Sequence, residues 1–122
     1  MPARSTIEGC GYKTRVILIP ETTDGYAIRL NDYCSIKDLS IANPTSISLS
    51  ETVGTRHGIM YQGTYNADDG QGGKYMQLSN IYITGFSGGG ITCYNTGYST
   101  SSSINATNIH ISNCNAGINI SY

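Results

Sequence analysis

The chain has 122 residues, 12% of them charged, and a formal net charge of −1, so it is long enough for one small domain but has no basic field to hold nucleic acid or an anionic membrane. Ser, Thr, Asn, Gly, Ile and Tyr dominate and Trp is absent, a vocabulary of strands and turns that speaks against a helical protein. No apolar run is long enough to cross a bilayer, and four cysteines without a CxxC pair and two distant histidines complete no metal-ligand pattern.

In chain order, Ser5–Ile19 (STIEGCGYKTRVILI) is an opening stretch punctuated by Gly9 and Gly11. The first apolar pair at i, i+2 is Ile28 and Leu30, and the next is Cys34 and Ile36. Asp38 follows, and then the pair Leu39 and Ile41. After Thr45–His57 the same order returns, with Ile59 and Tyr61, the insertion Gln62–Tyr75, Met76 and Leu78, then Asn80, Ile81 and Ile83. It comes back once more as Ile91 and Cys93, the polar stretch Tyr94–Ser103, Ile104 and Ala106, Asn108, Ile109 and Ile111, closing on Ile118 and Ile120. Ile28, Ile59, Ile91 and Ile118 are 31, 32 and 27 residues apart, a period that marks a repeat architecture.

Each period holds three i, i+2 apolar pairs, the alternation of short strands rather than of helices. One such unit cannot bury its apolar face alone, whereas stacked copies can, so the pattern predicts an all-β parallel solenoid of about four coils with three short strands per coil. Asp38, Asn80 and Asn108 fall in one column at the corner between the second and third strands. Asx residues tolerate the left-handed backbone that a sharp corner needs, and once stacked they can hydrogen-bond from coil to coil. The glycines of GFSGGGI and NAGI turn the chain back, with Phe86 and Cys114 filling that corner from inside. The cysteine spacing leaves disulfide pairing open and reads foremost as small core hydrophobes. Lys37 beside Asp38 reads as a surface charge pair, and His110 points outward with no partner visible.

SIKDLSIAN, LSNIYITGFSGGGI and TNIHISNCNAGI, with their Asx corner and Gly-Ile strand start, resemble the pectate-lyase-like superfamily of right-handed single-stranded parallel β-helices. The opening STIEGCGYKTRVILI resembles the start of the helix in phage tailspikes and related polysaccharide-acting proteins. The resemblance implies a single β-helix segment over 1–122, with an opening coil at 1–24 and repeating coils at 25–122. With no capping helix visible at either end, the expectation is a homotrimer or part of a longer chain. It further implies a virion-surface or extracellular setting and polysaccharide as the partner, with no nucleic acid and no membrane insertion.

In such a fold the loops carry function. Thr45–His57 and Gln62–Tyr75 flank one strand and would wall a groove over the outward residues Arg29, Met60, Thr92 and Asn119. A glycosidase needs two carboxylates across a bond, and Asp68 and Asp69 on one wall with Glu51 on the other are the catalytic candidates. A lyase would draw its base from Arg29, Arg56 or Lys74. Arg29, Arg56, Tyr65 and Tyr94 are the candidates for binding sugar, the tyrosines by stacking. The blander reading of NADDGQGG is a solvated turn, and His57 reads as a turn cap. No cofactor is expected; Ca²⁺ on Asp68 and Asp69 stays open although their spacing fits no calcium loop. Three functions follow: a tailspike-type module that recognises, and in one version depolymerises, host surface polysaccharide; a fragment of a bacterial polysaccharide lyase or glycoside hydrolase; and a non-catalytic adhesin or stalk.

Overall fold

The computed structural model describes residues 1–17, 25–43, 56–63, 75–95 and 104–121. Among them lie nine strands and no helix: β1 (Thr6–Glu8), β2 (Arg15–Ile17), β3 (Gly25–Leu30), β4 (Ser35–Ala42), β5 (Arg56–Gly63), β6 (Met76–Thr84), β7 (Gly89–Asn95), β8 (Ile104–Ser112) and β9 (Ala116–Ser121). They form two wholly parallel sheets. One runs β1-β4-β6-β8, with β2 paired to the second half of β4, and the other runs β3-β5-β7-β9.

The registers are those the apolar columns predict. Ile28 pairs with Ile59, Ile59 with Ile91, and Ile91 with Ile118. In the other sheet Ile36, Leu78 and Ala106 share a column, as do Leu39, Ile81 and Ile109, and Ile41, Ile83 and Ile111. These columns are the core: Ile36, Leu39, Ile41, Ile59, Ile81 and Ile83 are fully buried. Each contributes on the order of 1.5–3 kcal/mol of burial free energy, and a register slipped by one residue would turn the whole set outward. Phe86 is fully buried and Cys114 half-buried at the following corner. Cys10, Cys34, Cys93 and Cys114 are all free thiols, and burial pushes Cys93 up to about 11.

Asp38, Asn80 and Asn108 have φ of 58°, 53° and 50°. They sit inside β4, β6 and β8, so the strands turn the corner while their flanking residues stay paired. The two apolar pairs on either side of the Asx thus belong to one bent strand, and each of the lower periods contributes two strands where three were expected. Asn80 Nδ2 donates to Asp38 Oδ1 at 2.8 Å, and Asn108 Nδ2 donates to Asn80 Oδ1 at 2.8 Å. The side-chain ladder therefore has a direction, ending at a carboxylate that only accepts.

The first corner is built differently. Six residues lie between Glu8 and Arg15 where two lie between Lys37 and Ser40 on the paired strand. The excursion is tied down by Gly9 N–H donating to the Lys37 carbonyl, Gly11 N–H to the Asp38 carbonyl and Ser40 N–H to the Thr14 carbonyl. At its tip the Tyr12 carbonyl accepts from Ser40 Oγ at 3.1 Å, and the Tyr12 hydroxyl lies 3.3 Å from Asn108 Nδ2. Lys37 pairs with Glu8 at 3.1 Å rather than with Asp38, an exposed bridge of little energetic weight.

Candidate functional site

The outward column of the β3-β5-β7-β9 sheet is Arg29, Met60, Thr92 and Asn119, paired one on the next as the repeat predicts. Arg29 is exposed and Met60 and Asn119 half-buried, but Thr92 is completely inaccessible. It lies against His57, which is itself 7% exposed. Its Nδ1 lies 3.1 Å from the Gly89 N–H, which donates to it, and 2.8 Å from Thr92 Oγ1.

The Gly89 N–H fixes the tautomer, because Nδ1 must be unprotonated to accept it, so the ring proton sits on Nε2 and the Thr92 hydroxyl donates as well. Gly88 makes the room: a Cβ there would come within 2.6 Å of His57 Cε1 and Nδ1, and the Gly88 N–H also donates to the Arg56 carbonyl at 2.8 Å. The glycine run therefore does more than turn the chain, since it seats an imidazole.

A hydroxyl against an imidazole is the pairing that activates a nucleophile. Here Thr92 has no accessible surface for a substrate to reach, and Nδ1 already shares a backbone N–H. The pair is a latch between β5 and β7. Burial lowers the His57 pKa below the ordinary 6.5. The unfolded chain then binds the proton more readily than the folded one, so this contribution to stability is complete above about pH 6.5 and declines as the pH falls toward the lowered folded value. Urea midpoints are therefore expected to fall between pH 7.5 and pH 5. The drop should shrink in His57→Asn, whose side-chain oxygen can accept in place of Nδ1; an unchanged drop would remove His57 as its source.

The predicted site residues divide. Arg29 stands on the outer column, its carbonyl accepting from the Met1 amino group at 2.7 Å. Arg56 opens β5 opposite Gly25, and its Nε is buried without a hydrogen-bond partner. Both arginines thus fall on neighbouring strands of one sheet, though at opposite ends of β3 and β5. Tyr94 belongs to β7, opposite Gln62 and Ser121, rather than to the loop that the sequence suggested. Asp68, Asp69, Glu51 and Tyr65 lie outside the described residues, as do Lys74 and Tyr98.

A second surface escaped the sequence reading. Beyond the Asx corner, Ser40, Tyr82 and His110 form an outward column of the other sheet. The Tyr82 and His110 rings stack with centroids 4.7 Å apart and planes 7° from parallel. The signal was present, since Ile-Tyr-Ile and Ile-His-Ile occupy the same place in successive repeats, and the shared register turns that equivalence into contact. The Tyr82 hydroxyl lies 3.0 Å from Ser112 Oγ, which in turn donates to Thr84 Oγ1 at 3.2 Å. No protein-family model, curated protein or solved structure matches the chain.

Proposed function

We propose that the chain is a right-handed parallel β-helix segment of about four coils that recognises cell-surface polysaccharide, as a tailspike or tail-appendage module does. The observation that carries the reading is the like-on-like register of the apolar columns in two parallel sheets, one of which is bent at a stacked Asx corner. A stack of this kind presents long, regular outer faces against which an extended polymer can lie, and few charges interrupt them. Depolymerisation, by a lyase or a hydrolase, would rest on Asp68, Asp69 and Glu51. The sealed His57–Thr92 pair favours recognition over chemistry on the outer column, because the hydroxyl–imidazole contact found there among the described residues is closed to substrate.

The test is incubation with a panel of bacterial surface polysaccharides, followed for binding, for new reducing ends and for unsaturated-uronate absorbance. Binding without either product supports a recognition module. New reducing ends alone would add a hydrolase, and absorbance would add a lyase. No binding across the panel overturns the reading and leaves the stalk.

A further inference from the structure

We propose that the outer face of the β2-β4-β6-β8 sheet, just past the Asx corner, is a saccharide subsite in which a sugar ring stacks on the Tyr82–His110 pair and hydrogen-bonds to the hydroxyls of Ser112 and Thr84. The inference rests on the polysaccharide reading but moves the contact away from the arginine-bearing column of the other sheet.

Three observations converge on it. The two rings are held parallel at 4.7 Å, close to the roughly 4.8 Å between paired strands, so the backbone register presets the stack. Stacked face to face, the rings take one face from each other, so the CH face of a sugar would meet the side of His110 turned away from Tyr82, and a ring already ordered by its neighbour costs less to bind to. Next to it the Tyr82, Ser112 and Thr84 hydroxyls form a hydrogen-bonded row whose members can each donate or accept, matching the mixed demands of sugar hydroxyls. Tyr12, 54% exposed, borders the same face through its contacts with Ser40 and Asn108.

The charge pattern chooses the class of glycan. The strand segments that make this face, Arg15–Ile17, Leu39–Ala42, Ile81–Thr84 and Ile109–Ser112, contain one cation, Arg15, and no carboxylate. An uncharged or weakly anionic chain suits such a surface, and a cationic one gains nothing there.

The chain has two histidines, and they differ in exposure: His57 is buried and His110 exposed. Proton NMR of the imidazole Hε1 signals therefore gives a probe at the platform and a reference away from it. The probes are maltohexaose, cellohexaose and hexagalacturonate, together with any polymer bound in the panel above, each with calorimetric affinities. The expected result is that a bound glycan moves the His110 signal and leaves His57 in place. His110→Ala should weaken binding by about tenfold, while His110→Phe, which keeps a stacking ring, stays within about threefold of the parent. Melting temperatures of both variants separate lost binding from lost fold. A glycan that binds with the His110 signal unmoved and His110→Ala unaffected overturns this subsite and leaves the general reading standing. Failure of every glycan to bind overturns both. A His110 signal that moves with protein concentration and with none of the sugars assigns the face to self-association, which also overturns the subsite.

Discussion

Ile81→Ala is expected to lower the unfolding free energy by about 3–4 kcal/mol, a large share of the roughly 5–15 kcal/mol that a domain of this size commands. Ile81 is fully buried and lies in register between Leu39 and Ile109, flanked along its own strand by the bend at Asn80 and by Ile83. Removing its outer carbons leaves a cavity that its paired neighbours cannot close, because moving them would break the ladder that holds their columns. Ile109 occupies the same column one level down but is half-buried, so Ile109→Ala should cost about half as much. Urea titration measures both, with an unchanged m-value confirming that stability and not the unfolded ensemble has shifted. Equal losses at the two positions would mean that the column does not pack as a graded stack.

The second large effect is expected at Asn80, where Ala should cost about 2–4 kcal/mol although the residue is exposed. Two terms add. Ala at φ of 53° meets the left-handed penalty of roughly 1–2 kcal/mol, and the side-chain bonds to Asp38 and Asn108 go with the amide. Asn80→Gly separates them, since glycine accepts the backbone angle but restores neither bond, and about half of the loss should return. If the Gly variant were no better than the Ala variant, backbone conformation would not be part of what Asn supplies here.

That prediction also shows what the sequence could reveal. The Asx column was legible because a corner is a local backbone demand, met by a small set of residues, and it recurs at fixed spacing. The apolar columns were legible for the same reason, with Ile28, Ile59, Ile91 and Ile118 pairing as their spacing requires. Strand count was misjudged because a left-handed Asx bends a strand without ending it, and alternation on either side of the bend looks like two elements. Thr92 was expected to face outward, and its register agrees, yet it is fully buried and touches an imidazole from the neighbouring strand. Nothing in Thr-Cys-Tyr announces that, whereas three consecutive glycines opposite Arg56-His57-Gly58 were the available hint, since glycine leaves space for a neighbouring ring. The proposed carboxylates Asp68, Asp69 and Glu51 were chosen on chemistry alone, and no repeat constrains where such loop residues stand.

The tyrosine at the tip of the first excursion has a mechanical consequence. In a stack where each layer touches only the next, unfolding can begin at one end and peel inward. Tyr12 reaches from the first corner to Asn108, a contact spanning 96 residues of chain. Strand β8 therefore cannot open at its bend without releasing something anchored at the first corner. Tyr12→Phe should keep the ring but remove that tie, so amide exchange in β8 would quicken before exchange in β4 changes.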